Sequence, residues 1–319
     1  MPPVSGAFVM STGILAVGFA TVRRNGLSGA SLLLAGIAWV ALGLLFLVRF
    51  AVDRHGWLVA ARRPAGLTAV AAPTVIAARL AMLGWTSVAY VLLVLSAGLW
   101  LVLLPAVLGQ WTRPAAGAAF MTCVATQGLV IDVAVLVRVE TMRWLMVPLS
   151  LLFLIGLVLY VLTARDFDWA ELLRGRGDHW VLGGALSISA LAAAEMVLTG
   201  RTTGFASAVL TGFRVVDLVA WSLALLACIV LACCELGRPR PRYDARRWAT
   251  VFPIGMTAVA TAAVARAEPI PQVRGLATVL VWAAALVWLL VGLAGLACLS
   301  RRARRYPARF VPKASASRR

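Results

Sequence analysis

Charged residues are scarce in this chain. Only 13% of its 319 residues are Asp, Glu, Lys or Arg, whereas an ordinary soluble domain carries about 25%. Because 62% of the residues are hydrophobic, the chain has too little polar surface to cover a fold that faces water on every side. The composition excludes an ordinary soluble domain and indicates a membrane protein.

Residues that bind metals or perform catalysis are also few. The sequence has two histidines, His55 and His179, and five cysteines that lie in apolar segments without metal-ligand or redox spacing. No nucleophile stands beside a base, and no nucleotide-binding loop is present. We therefore expect no metal site, no cofactor and no enzymatic activity.

Long apolar runs recur along the whole chain. The runs 90–108 and 144–162 contain no charged residue, and each approaches the ~20 residues that span a bilayer. The pattern predicts ten transmembrane helices, at 4–22, 31–50, 67–84, 89–108, 115–137, 144–163, 181–200, 213–234, 247–267 and 276–299. The longer polar connections follow even-numbered helices, so we expect five helical hairpins in one domain, 1–300.

The formal charge of +18 is distributed unevenly. Most of the 30 Lys and Arg residues fall in the connections after even-numbered helices or in the segment 301–319. This is the positive-inside bias, so we expect an inner (plasma) membrane protein with both termini in the cytoplasm. We interpret 301–319 as a disordered basic tail that contacts anionic lipid, and we expect no nucleic-acid partner.

Side-chain size alternates between odd-numbered and even-numbered helices. About half of the residues in the odd helices are Gly, Ala, Ser or Thr, compared with about a quarter in the even ones. Small residues let helix backbones approach closely, whereas bulky residues suit a lipid-facing surface. We predict an inner ring of five odd helices around a central pore, inside an outer ring of five even helices. The alternative is a solid core in which small residues mark tight packing only.

Four stretches carry a family resemblance. They are FVMSTGI from Phe8 to Ile14, ATQ from Ala125 to Gln127, GDHWVLGGALSIS from Gly177 to Ser189, and RWATVFPIGM from Arg247 to Met256. With them, the chain resembles the tellurite-resistance and C4-dicarboxylate transporter family, which includes the plant slow-type anion channels. The resemblance implies five hairpins around a pore, a homotrimer with one pore per subunit, and transport of small anions.

The resemblance also implies a gate. In channel members of the family a Phe on the ninth helix occludes the pore, and the matching residue here is Phe252, followed by Pro253. Phe252 shares one helical face with Gly255, whereas Thr257 and Thr261 lie nearly opposite, so both faces cannot line one pore. We favour the Phe face, with Gly255 lining the pore and the threonines bonding back to their own helix. Ordinary packing of Phe252 is the alternative.

Charges inside membrane spans are costly and indicate function. Arg79, Asp132 and Glu195, on the third, fifth and seventh helices, fall toward the periplasmic side at comparable depth, so they could pair. Arg79 is a candidate anion attractor, and Asp132 and Glu195 are candidate proton-coupling groups, with a structural ion-pair cluster as the alternative. We interpret Arg214 and Asp217, on the eighth helix, as a local pair.

Hydroxyl groups on odd helices could donate hydrogen bonds to a partly dehydrated anion. The competing explanation is hydrogen bonding between helices. The candidate pore-lining hydroxyls are those of Ser11, Thr12, Thr122, Thr126, Ser187 and Ser189. We expect a gated anion channel; the alternative is a proton-coupled transporter or exporter of C4-dicarboxylate, sulfite or tellurite-related oxyanions.

Overall fold

The computed structural model describes residues 5–174, 177–239 and 243–305, and in these ranges it contains helices and no strand. Two short helices, Arg54–Ala61 and Glu171–Arg174, lie in polar connections. The ten long helices are α1 Ser5–Thr21, α2 Asn25–Val52, α3 Thr68–Met82, α4 Thr86–Leu108, α5 Met121–Glu140, α6 Met146–Asp166, α7 Val181–Thr203, α8 Ser207–Gly237, α9 Trp248–Ala267 and α10 Arg274–Arg305. The predicted all-α class is confirmed.

These helices have the length and composition of membrane spans. Within the described ranges, nine are long and apolar enough to cross a bilayer, and the shorter apolar helix α1 makes the tenth. Consecutive helices pack against each other as five hairpins, α1 with α2 through to α9 with α10.

The odd helices form a closed ring. Each of α1, α3, α5 and α7 packs against the next odd helix, and α9 packs back against α1. In the spans of α3, α5, α7 and α9, between 56% and 89% of the residues are buried, compared with 6% to 28% in the even helices. The exposed Leu, Val and Ile side chains of the even helices form a lipid-facing surface. The prediction of inner odd and outer even helices is confirmed.

Glycines set the distance between neighbouring inner helices. At four of the five contacts in the ring, a Cβ added to a glycine would lie within 3.1 Å of the next helix. The glycines are Gly13 against Val75, Gly128 against Thr74, Gly184 against Pro253 and Gly255 against Ile14. Gly255 therefore lies in the contact between α9 and α1.

Several helix boundaries differ from the predicted ones. α2 begins at Asn25 because Arg23, with a positive φ of 60°, closes a tight turn in which the Arg24 amide donates to the Phe19 carbonyl at 2.8 Å. α10 continues to Arg305, since arginine is a good helix former and the first proline after this helix is Pro307. The rest of the predicted tail, 306–319, lies outside the described residues.

Replacing Gly255 with Ala is expected to destabilise the protein by about 1 to 3 kcal/mol, because such overpacking forces neighbouring helices apart. The added methyl carbon would lie 2.8 Å from Ile14 Cγ2. The matched control is Gly98→Ala in α4, where an added Cβ meets no atom within 4 Å and the change should be neutral or slightly stabilising. Thermal unfolding in detergent compares them, and equal midpoints would contradict the close contact.

Candidate functional site

A small vestibule opens at the end of the ring where all five inner helices begin. Its volume is about 60 Å³, and each inner helix, or the turn that leads into it, contributes two lining residues. The lining residues are Ala7, Met10, Ala65, Thr68, Ala118, Met121, Asp178, Val181, Ala249 and Phe252. The vestibule is therefore shared equally by the whole ring and lies on its axis.

The lining residues form two layers. In every inner helix the two residues are three positions apart, so the second lies about one helical turn deeper than the first. The outer layer contains four alanines and Asp178, and the deeper layer contains the larger residues Met10, Thr68, Met121, Val181 and Phe252. The deeper layer is the floor of the vestibule.

Phe252 belongs to this floor and is only 3% exposed. Its ring lies against the backbone of Gly184 in α7, where an added Cβ would be 3.4 Å from two ring carbons. On the opposite face of α9, Thr257 donates to the Pro253 carbonyl at 2.8 Å and Thr261 to the Thr257 carbonyl at 2.7 Å. The threonines bond back to their own helix, as expected, and the Phe face is the one that meets the vestibule.

Charged groups surround the rim of the vestibule. Asp178 lies 3.8 Å from the Arg246 guanidinium, and the Glu171 carboxylate accepts a hydrogen bond from the Gly117 amide at 3.0 Å. Burial raises the pKa of the Glu171 carboxyl; the Gly117 hydrogen bond opposes this rise, and the nearby Asp178 adds to it. The rim therefore combines acidic and basic groups around an apolar interior.

Most candidate hydroxyls lie in contacts between helices or bond to their own helix. None of the six candidate hydroxyls is among the vestibule-lining residues. Ser11 donates to the Trp248 carbonyl of α9 at 2.7 Å, and Ser187 lies 2.7 Å from the Thr257 hydroxyl. Ser189 contacts Cys123 of α5, and Thr122 donates to the Ala119 carbonyl. The contacts of Ser11, Ser187 and Ser189 favour the interhelical explanation, whereas Thr122 bonds to the turn that leads into its own helix.

Three tryptophans of outer helices donate hydrogen bonds to threonines of inner helices, and we call each of these contacts a clasp. The indole nitrogens donate to threonine hydroxyls at 2.9 to 3.0 Å, and each clasp joins an even helix to the next odd helix around the ring. The clasps are Trp100 to Thr126, Trp221 to Thr261 and Trp288 to Thr12. The hydroxyls of Thr12 and Thr126 thus tie one hairpin to the next, a role that a hydroxyl position alone does not reveal.

The pairing that the comparable depth of Arg79, Asp132 and Glu195 allowed is wrong, because no ion pair or hydrogen bond joins these three described residues. The Arg79 guanidinium donates to the Ser28 hydroxyl of α2 at 2.7 Å, which anchors it toward the outer ring. Asp132 is 4% exposed, and among the described residues neither of its carboxylate oxygens has a hydrogen-bond partner.

Glu195 instead forms what we call the far-end cluster, with Arg138 and Arg266. Arg138 Nη1 lies 2.6 Å from one carboxylate oxygen of Glu195, and Arg266 Nη2 lies 3.1 Å from the other. These residues belong to three consecutive inner helices, α5, α7 and α9. The long arginine side chains reach from α5 and α9 to α7, the helix that lies between them in the ring, so positions in separate spans come together.

The expected local pair of Arg214 with Asp217 is also wrong. Arg214 binds Glu268, just after α9, through two nitrogens at 2.7 to 3.0 Å. A carboxylate at the end of the neighbouring helix offers the planar, two-oxygen geometry that suits a guanidinium. Asp217 is buried, and within the described ranges its oxygens have no hydrogen-bond partner.

The sequence analysis missed most residues of the vestibule floor. Met10, Thr68, Met121 and Val181 were not candidates, although Phe252 was. The signal was available: the first turn of each inner segment pairs a lining residue with a larger or equally large one three positions later, as in AFVM, AGLT, AAFM, DHWV and ATVF. This pattern is inconspicuous in a single helix. It becomes informative only when the five helices are assembled in the ring.

A family model described as voltage-dependent anion channel matches residues 1–296. The chain belongs to the voltage-dependent anion channel family. This match confirms the resemblance drawn from the four sequence stretches. The family transports anions across membranes, so the chain is an integral membrane protein of an anion-transporting, non-enzymatic family. No curated protein matches the chain.

Replacing Trp221 with Phe should remove the clasp to Thr261 and cost about 0.6 to 2 kcal/mol of stability. Thr261→Val should cost at least as much, because it also removes the bond to the Thr257 carbonyl, and the double variant should lose little more than Thr261→Val alone, since the Trp221 bond is already absent there. Trp144→Phe, at a tryptophan that is 73% exposed, is the control. Unfolding in detergent measures all four, and strictly additive losses would argue against the clasp.

Proposed function

We propose that anions pass passively through the inner ring, as in a channel, and that Phe252 is the gate. The observation that carries this proposal is the vestibule, to which all five inner helices contribute and whose floor includes the Phe252 ring. An aromatic ring on the axis of a narrow passage blocks hydrated ions and moves aside by a change of rotamer.

The backbone beside Phe252 favours such movement. Pro253 has no amide hydrogen, so α9 lacks the bond that residue 253 would donate to the carbonyl of Ala249, a vestibule residue. Gly184 has no side chain, so at this position α7 places only backbone atoms against the phenyl ring of Phe252. The turn of α9 that carries the gate is thus held less firmly than an ordinary helical turn.

The largely apolar lining suits conduction of anions that lose water easily. The outer layer of the vestibule contains four alanines, and Asp178 there is balanced by Arg246. A vestibule without a strong fixed charge binds ions weakly, and weak binding is needed for an ion to leave as readily as it enters. We infer a preference for weakly hydrated anions such as nitrate over strongly hydrated ones.

A second candidate function is proton-coupled transport of C4-dicarboxylate, sulfite or tellurite-related oxyanions. The observation that favours it is Asp132, which lies about three helical turns after the vestibule residue Met121 on the same face of α5. Its buried carboxylate has no hydrogen-bond partner in the described part of the chain. Glu195 is a weaker candidate because two arginines bind it.

We further propose that the protein is a homotrimer in the inner membrane, with one pore per subunit and both termini in the cytoplasm. The bias of basic residues toward the connections after even helices supports this orientation. In this orientation the vestibule opens to the cytoplasm, and Arg246 at its rim lies where anionic lipid headgroups collect.

Phe252→Ala should raise the single-channel anion conductance several-fold, because it removes the ring from the vestibule floor. Planar bilayers containing the purified protein provide the measurement. Phe8→Ala is the matched control, since Phe8 lies at the same end of the ring but packs against Trp248 and Trp288 instead of the vestibule. An unchanged conductance in folded Phe252→Ala protein would rule out the gate.

The two candidate functions differ in their dependence on protons. For a channel, the reversal potential of the nitrate or chloride current should follow the Nernst potential of that anion and should not move with a pH gradient. Asp132→Asn should leave it unchanged. A reversal potential that shifts with the pH gradient, and loses this shift in Asp132→Asn, would favour the proton-coupled transporter instead.

A further inference from the structure

The far-end cluster of Arg138, Glu195 and Arg266 lies at the opposite end of the inner ring from the vestibule. Glu195 comes about four helical turns after the vestibule residue Val181 in α7, and Arg266 comes about four turns after Phe252 in α9. Four turns return a helix to nearly the same face and advance it by about 21 Å. The cluster therefore continues the vestibule-lining faces of two inner helices to the other mouth.

The charges of the far-end cluster do not cancel. One carboxylate lies between two guanidinium groups, which leaves an excess of one positive charge. The side chain of Glu195 is 5% exposed, whereas those of Arg138 and Arg266 are 26% and 47% exposed. The negative group is buried in the ring, and the positive groups are partly exposed at the same end of it.

The two arginines also keep most of their hydrogen-bonding capacity. A guanidinium has five N–H donors, and in the described ranges Arg138 and Arg266 each donate only one hydrogen bond, to Glu195. Arg214, at the same end of the molecule, differs: it binds Glu268 through two nitrogens in a pair with no net charge. The Arg214 pair is satisfied, and the far-end cluster is not.

We propose that the far-end cluster is a binding site for the permeating anion, of the small carboxylate or oxyanion class, and that the Glu195 carboxylate occupies the position between the two guanidiniums that this anion takes. Guanidinium groups match the planar oxygen pair of carboxylates and oxyanions. The carboxylate of Glu195 acts as a tethered competitor, so the site releases its anion quickly. This inference rests on the proposed passage of anions through the ring.

The experiment measures current through the full-length protein in planar bilayers as the acetate or chloride concentration rises. Glu195→Gln removes the competing charge, so current should saturate at a several-fold lower anion concentration than in the wild type. Arg138→Gln and Arg266→Gln should raise that concentration several-fold and lower the current. Each effect should be larger for anions that enter from the mouth carrying the cluster, about 21 Å from Phe252.

Arg214→Gln and Glu268→Gln are the matched controls, since they disrupt an ion pair at the same end that involves an outer helix. Arg138→Lys keeps the charge and serves if the Gln variants fold poorly; chloride current should be retained, but acetate current should saturate at a several-fold higher concentration than in the wild type, because an ammonium lacks the planar fork. Saturation curves for all cluster variants that match those of the controls would overturn this inference. Absence of any wild-type current would instead overturn the proposed channel.

Discussion

The structure depends on how closely the five inner helices approach one another. A ring of helices closes only if each neighbour comes near enough to exclude lipid, and in a bilayer this is achieved by small residues rather than by the hydrophobic effect. Glycines at four of the five contacts provide that approach, and the contact of α5 with α7 brings Cys123 against Ser189. Once the ring is closed, the first turns of all five helices meet at one end, and the vestibule is a consequence of that convergence.

This constraint explains why the layers of the fold could be predicted from sequence. The size of side chains limits the distance between helix backbones, so the alternation of small and bulky helices indicated which would be inner and which outer. The ends of helices were less predictable because they depend on local turns. Arg23 adopts a positive φ that starts α2 early, and Arg54–Ala61 forms a helix within a connection that we interpreted only as polar.

The candidate site was less accessible to sequence reasoning, since a polar residue in a span does not reveal its partner. Thr12 and Thr126 accept hydrogen bonds from tryptophans of other hairpins. Arg79 of α3 donates a hydrogen bond to Ser28 of α2. The family resemblance identified Phe252, which the structure places in the vestibule floor beside four residues that carry no distinguishing feature within their own helices. Those residues acquire meaning from their common depth, which exists only in the assembled ring.

Gate and binding site are separate on the proposed route, and this separation has a physical advantage. Phe252 is apolar, and its movement changes the width of the passage without changing any charge near the ion. The excess positive charge of the far-end cluster lies about four turns away along the same helices. An anion held there adds its own charge to a site that already contains Glu195, so repulsion between the anion and the Glu195 carboxylate favours release. The ring can thus admit an anion by attraction at one mouth and close by a side-chain rotation at the other, and neither function constrains the residues that the other uses.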